Sequence, residues 1–117
     1  MAAATYNITI DQGSDFALAL QLQQEDGTAD NLTGYLARAQ LRQTKSAATI
    51  TATFTCTIPT PTNGIIAIEL GNGITKNIIA SSTAGKYFFD VEIYTDSDVI
   101  VKRVLQGDAL VTQEVTR

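Results

Sequence analysis

The chain has 117 residues, enough for one domain with its own core, and 44% of them are hydrophobic. Only 17% are charged, and a net charge of -4 repels a phosphate backbone, which argues against nucleic-acid binding. With no histidine and a single cysteine, the chain has no imidazole to activate a nucleophile and cannot form a Cys/His zinc site by itself.

Alternation of apolar and polar residues predicts the first strands. Residues 6–10 and 16–22 alternate with period two, and residues 35–43 alternate again after two segments rich in turn residues. On the third of these strands, Arg38 and Arg42 fall on the same face.

Residues 49–57 carry Thr at every odd position and an apolar residue at every even one, which predicts a half-buried strand. Cys56 lies on the apolar face and is interpreted as a small buried side chain. The Thr face is interpreted first as a solvated surface, with a protein-contact surface, an edge that pairs with another chain or an ice-like repeat as alternatives. The five threonines of this face are Thr49, Thr51, Thr53, Thr55 and Thr57.

The second half of the chain predicts one hairpin, a short helix and three further strands. Asn63-Gly64 is a hairpin signal, and residues 65–70 form the return strand. Isoleucines spaced by four and five residues, followed by a glycine, predict one short helix or a single turn over residues 74–84. The remaining strands are predicted at residues 85–94, 99–105 and 109–115.

About seven to eight short strands with regular turn signals predict an all-β fold, an immunoglobulin-like antiparallel β-sandwich. Residues 1–117 form a single domain, in which residues 1–5 and 112–117 are expected to extend as free termini.

The stretch GKYFFDVEIY at residues 85–94 places two acids two positions apart. Alternation puts Asp90 and Glu92 on the less apolar face of the strand. In a hairpin with the next strand, Arg103 lies opposite Asp90 for a four-residue loop and opposite Glu92 for a two-residue loop. A structural cross-strand pair, worth roughly 0.2 to 1 kcal/mol, is therefore favoured over a partner-binding or catalytic pair.

The acidic turns do not follow the spacing of a calcium-binding loop, so they are interpreted as ordinary turns. No catalytic residue, metal site or cofactor is predicted. The chain also lacks a signal-peptide pattern and any apolar run near the roughly 20 residues of a membrane span, so neither secretion by a signal peptide nor a membrane partner is expected.

Most of the chain resembles a class of small virion proteins of tailed bacteriophages, related to the N-terminal domain of the phage baseplate upper protein. The segments that carry the resemblance are IDQG at 10–13 with Phe16, DG at 26–27, NLTGYLARAQLR at 31–42, AGKYFFDV at 84–91, VLQGDALV at 104–111 and EVTR at 114–117. The resemblance implies an immunoglobulin-like sandwich that docks on other virion proteins and has no catalytic residues. In the longer relatives such a domain anchors a receptor-binding extension, whereas this sequence ends at Arg117, so we expect it to join its neighbours by surface contacts alone.

We therefore expect a structural virion protein, made in the host cytoplasm and present in multiple copies in a symmetric assembly. A tail, baseplate or fibre-associated adaptor is the first choice, with a capsid cement protein as the alternative. A carbohydrate-binding module is a third hypothesis, which would require a surface cluster of Tyr35, Tyr87 or Tyr94. An enzyme based on Asp90 and Glu92 is the weakest hypothesis.

Docking is expected through exposed strand edges and the termini. Besides the Thr face, the candidate contact residues near the two ends are Thr5, Tyr6, Thr112, Glu114 and Arg117.

Overall fold

The computed structural model describes residues 3–79 and 86–115, and within them the chain is built mainly of strands. The strands are β1 (Ala4–Thr5), β2 (Ile8–Asp11), β3 (Phe16–Gln21), β4 (Leu36–Arg42), β5 (Ala52–Thr57), β6 (Ile65–Leu70), β7 (Lys86–Tyr94) and β8 (Val101–Thr112). A one-turn helix, α1 (Asn72–Thr75), follows β6, and 3₁₀ turns lie at Pro61–Asn63 and Asp96–Asp98. The all-β prediction is confirmed.

The strands form one mixed eight-stranded sheet that curls into a half-barrel. Its order is β1-β8-β7-β4-β5-β6-β3, with β2 also paired to β8. The curl runs through β5, because the first half of β5 pairs with β4 and its last three residues, Thr55 to Thr57, pair with β6. The finer assignment to an immunoglobulin-like sandwich stays a prediction.

The sequence predicted a purely antiparallel arrangement, but the sheet also contains parallel pairs. Both N-terminal strands run parallel to β8, and this register sets Ile8 beside Ala109 and Ile10 beside Val111. All four side chains are buried. Parallel pairing therefore lets the N-terminal segment add its apolar face to the core while it covers the edge of β8 that β7 leaves open.

The core follows from the alternation of each strand. Along β7 the inward residues Tyr87, Phe89, Val91 and Ile93 are buried, whereas the residues between them are half-buried. Phe54 of β5 joins the two sides of the half-barrel, with its ring centroid 6.0 Å from that of Phe16 and 6.3 Å from that of Phe89. These distances fit the edge-to-face contacts that aromatic rings prefer.

The two strands predicted at residues 99–105 and 109–115 are one continuous strand, β8, so that prediction is wrong. Gly107 and Asp108 resemble a turn in sequence, but Gly107 lies inside the strand opposite Phe89. The backbone of Tyr6 approaches so closely that a Cβ on Gly107 would overlap the Tyr6 carbonyl oxygen. Glycine here permits close backbone approach rather than a turn.

A short helix or single turn was predicted near residues 74–84, whereas the observed single turn, α1, overlaps this range only at Ile74 and Thr75. Its Thr75 side chain is fully buried, and Oγ1 donates a hydrogen bond to the Ser14 carbonyl oxygen at 2.7 Å. Residues 80–85, which include the predicted glycine cap, lie outside the described residues.

The described parts of both termini lie on the sheet instead of extending from it. Thr5 pairs with Gln106 in β1, and the Thr112 hydroxyl donates to Asp11 Oδ1 at 2.7 Å. The backbone NH of Glu114 donates to Gln12 Oε1 at 3.1 Å. Free extension is therefore wrong for these residues, whereas residues 1–2 and 116–117 lie outside the described part of the chain.

Candidate protein-contact face

The outward side of β4, β7 and β8, here called the outer face, arranges its side chains in rows across the three strands. Because β4 and β8 flank β7, each outward residue of β7 from Phe88 to Tyr94 has one neighbour on each side. Four rows result: the apolar row Leu36, Tyr94 and Val101; the charged row Arg38, Glu92 and Arg103; the amide row Gln40, Asp90 and Gln106; and the Phe88 row Arg42, Phe88 and Asp108.

Asp90 and Glu92, either of which was predicted to pair with Arg103, both lie on this face, but each contacts a different arginine. Backbone pairing sets Glu92 opposite Arg103, whereas the ion contact of Arg103 is made by Nε with Asp90 Oδ2, at 3.3 Å. Glu92 Oε1 instead accepts a hydrogen bond from Arg38 Nε at 2.9 Å. Arg38 Nη1 also lies 3.4 Å from Asp98 Oδ1.

A β-bulge at Val104 explains this arrangement. Val91 pairs with Leu105 and Glu92 pairs with Arg103, so Val104 has no partner on β7. Val104 and Leu105 are both buried although they are consecutive. The extra residue thus switches which face the following side chains occupy and re-aims Arg103.

The electrostatics of the two acids differ because their surroundings differ. Burial raises the pKa of Asp90, the nearby charge of Glu92 raises it further, and the charges of Arg103 and Arg42 oppose the shift. The hydrogen bond to Glu92 raises the pKa of Arg38, which stays charged. Chemically, the arrangement holds two carboxylates in ion pairs on a solvent-facing sheet.

A groove of about 590 Å³ runs over the outer face and is lined by side chains of β4, β7, β8 and the N-terminal segment. At one end, Arg42 Nη1 donates to the Ala47 carbonyl at 2.8 Å and Nη2 donates to Gln40 Oε1 at 2.9 Å. Lys45 Nζ lies 5.7 Å from the centroid of the Phe88 ring. Lys45 thus makes a cation–π contact with Phe88, while Arg42 is the β4 neighbour of Phe88 across the sheet.

The opposite end of the outer face is apolar. Leu36 is 50% exposed and Val101 43% exposed, and the adjoining loop adds Val99 at 80% and Ile100 at 42%. The Arg38 guanidinium carbon lies 4.4 Å from the centroid of the Tyr94 ring, so the apolar row adjoins the charged row directly. Neighbouring exposed apolar residues rimmed by charge are typical of contact surfaces.

The structure brings part of the predicted Thr face to the same surface. Thr53 lies opposite Gln40, and Thr5 lies opposite Gln106, so both extend the amide row. Thr55 and Thr57 are also exposed but lie on the part of β5 that pairs with β6. Thr49 and Thr51 precede β5, which begins at Ala52.

The other predicted contact residues lie elsewhere. Tyr6 is 52% exposed, and its backbone NH donates to the Gln106 carbonyl oxygen at 2.9 Å. Thr112 and Glu114 lie where the chain leaves β8, with the partners given above. Arg117 lies outside the described residues.

The tyrosines do not form the surface cluster that a carbohydrate platform would require. Tyr87 is 5% exposed and its hydroxyl donates to the Ile79 carbonyl at 2.8 Å. Tyr35 is half-buried and packs against the core, while its neighbour in sequence, Leu36, faces outward in the same row as Tyr94.

Sequence reasoning missed Arg38, Arg42 and the apolar row as parts of this site. It placed Arg38 and Arg42 on one face of β4, but the pairing of β4 with β7 joins residues 54 positions apart, as in the Arg38–Glu92 contact. The available signal was charge complementarity between the outward residues of the two strands.

Cys56 is half-buried, and burial raises the pKa of its thiol to about 11. Its Sγ lies 3.8 Å from the Phe54 carbonyl oxygen. A thiol in this state reacts slowly, because the thiolate is the nucleophile.

Neither protein-family models nor curated proteins give a match to this chain. Within residues 3–79 and 86–115, no three potential metal-ligating side chains are grouped together. The helices in this part of the chain are too short to cross a membrane.

Proposed function

We propose that this chain is a non-enzymatic structural protein that docks on other proteins through its outer face. The observation that carries the proposal is the exposed apolar row, which adjoins the charged row, where Arg38 and Arg103 both contact carboxylates. The apolar residues supply area to be removed from water, and the fixed charges supply register and specificity. Because these rows lie on paired strands, the backbone beneath them is already ordered before a partner binds, which lowers the entropy cost of binding.

The setting that we propose is the virion of a tailed phage, where the chain acts as a tail, baseplate or fibre-associated adaptor in multiple copies. The support for this setting is the resemblance of the sequence to baseplate upper proteins. Capsid cement is the alternative. An immunoglobulin-like sandwich belongs to the same proposal, and the contact of Phe16 with Phe54 across the half-barrel is compatible with it.

Quantitative mass spectrometry of purified particles tests the setting. The copy number of this chain relative to the major capsid protein is expected to be low and to match fibre or baseplate proteins. A number close to that of the capsid protein would favour the cement alternative, and absence from the particles would refute the virion setting altogether.

Substitution in the apolar row tests the docking surface. Leu36→Thr with Val101→Thr is expected to abolish incorporation while the fold is kept, since both side chains are exposed on strands and Thr suits a strand. Ile74→Thr with Ile79→Thr is the matched control, because Ile74 is 45% and Ile79 74% exposed and both lie outside the outer face. Equal incorporation of the double variant and the control would exclude the apolar row as the docking surface.

A further inference from the structure

The cations of the outer face are not equally neutralised. Arg38 and Arg103 contact carboxylates, and Lys86 Nζ lies 3.3 Å from Asp108 Oδ2. Arg42 and Lys45, in contrast, form no ion pair with any described residue.

The Arg42 side chain is oriented by hydrogen bonds to neutral groups and not by a carboxylate. Its two hydrogen bonds go to the Ala47 carbonyl and the Gln40 amide oxygen, which are neutral acceptors. The side chain is half-buried, and Asp90, whose pKa responds to the charge of Arg42, makes its ion contact with Arg103. An oriented and partly desolvated guanidinium that forms no ion pair with a described residue is suited to accept a carboxylate from outside.

The charge of the groove sets the kind of anion. Its lining includes four cations, Arg38, Arg42, Lys45 and Arg103, and three carboxylates, Asp90, Glu92 and Asp108, a balance of +1 on a chain whose net charge is -4. One carboxylate cancels this excess. A phosphate dianion carries one negative charge more than this excess, so a single carboxylate matches the charge of the groove better.

We propose that Arg42, the β4 neighbour of Phe88, and Lys45, which lies over the Phe88 ring, bind a carboxylate carried by an extended segment of the partner protein. This inference rests on the proposed docking function, and it adds the chemistry of the partner. Arg42 and Leu36 are six positions apart on β4, about 20 Å along a strand. A partner segment of similar length therefore reaches both ends of the face, with an acidic residue over Phe88 and an apolar residue on the apolar row.

The probe is a blocked seven-residue peptide, Leu-Ser-Gly-Ser-Gly-Ser-Glu, titrated into the full chain and followed by amide NMR shifts. We expect shifts at Arg42, Lys45 and Phe88, with affinity that falls as salt is added. The same peptide with Gln in place of Glu, and the double variant Arg42→Gln with Lys45→Gln, are each expected to bind at least tenfold more weakly. Lys76→Gln with Lys102→Gln removes the same charge outside the groove and is expected to bind as the wild type does.

Any one of three results would overturn the carboxylate site. The first would be equally tight binding of the Gln and Glu peptides. The second would be an equal loss of affinity in the charge-matched control and the groove variant, and the third would be stronger competition by inorganic phosphate than by acetate. If the chain associates with itself and the groove variant does not, the carboxylate belongs to a second copy of this chain. That result would also refute a separate partner protein. Absence from particles with peptide binding intact would refute the virion setting alone.

Discussion

Gly107→Ala tests whether close backbone contact holds the N-terminal segment on β8. The added Cβ overlaps the carbonyl oxygen and carbon of Tyr6, and neither can move without shifting the backbone that pairs with β8. Relief requires Tyr6 to withdraw, although its NH donates to the Gln106 carbonyl at 2.9 Å. Overpacking of this kind costs about 1–3 kcal/mol.

Urea unfolding followed by circular dichroism measures this loss of stability, and hydrogen exchange at the Tyr6 amide reports where it arises. We expect a lower midpoint and faster exchange at Tyr6, with exchange at Val91 changed only by the global loss. Gly73→Ala is the matched control, because no atom lies within 4 Å of its Cβ position and Gly73 lies in α1. A Gly107→Ala variant within about 0.5 kcal/mol of the wild type would refute the reasoning.

Three further predictions concern single side chains. Thr75→Val leaves the Ser14 carbonyl oxygen without its hydroxyl donor, and urea unfolding is expected to show a loss of about 1–3 kcal/mol. Burial raises the pKa of Asp90, so its contribution to the free energy of unfolding is present at low pH and falls as the pH rises above about 3.8. Asp90→Asn should therefore flatten the plot of stability against pH. An unchanged plot would contradict this. Cys56 should react with iodoacetamide at pH 8 on the order of a hundredfold more slowly than free cysteine, and equal rates would contradict its burial.

The sequence was most informative for strands that pair with their neighbours along the chain, such as β5 and β6. The hairpin signal predicted β6 at its observed bounds, and the period-two pattern ended β5 correctly at Thr57. The turn between them was signalled by Asn63 and Gly64, and Gly64 adopts a positive φ of 67°. In these segments each residue's preference agrees with its place in the sheet.

Long-range features were not predictable in the same way. The bulge at Val104 leaves two consecutive apolar residues in an otherwise ordinary strand, and this pattern does not fix a register. A break was predicted between residues 105 and 109, because the close neighbour of Gly107, Tyr6, lies about a hundred residues away in sequence. Pairing of β4 with β7 depends on which strands become neighbours, which alternation within one strand cannot specify.

The central place of β7 explains why its two acids belong to a contact surface. Alternation sends Asp90 and Glu92 outward because Phe89, Val91 and Ile93 fill the core. A strand with neighbours on both sides lets the two acids find partners in opposite directions, Glu92 on β4 and Asp90 on β8. Each ion pair thus links β7 to a different neighbour. The apolar, charged and amide rows lie side by side on this sheet, and this is the pattern that we propose a partner recognises.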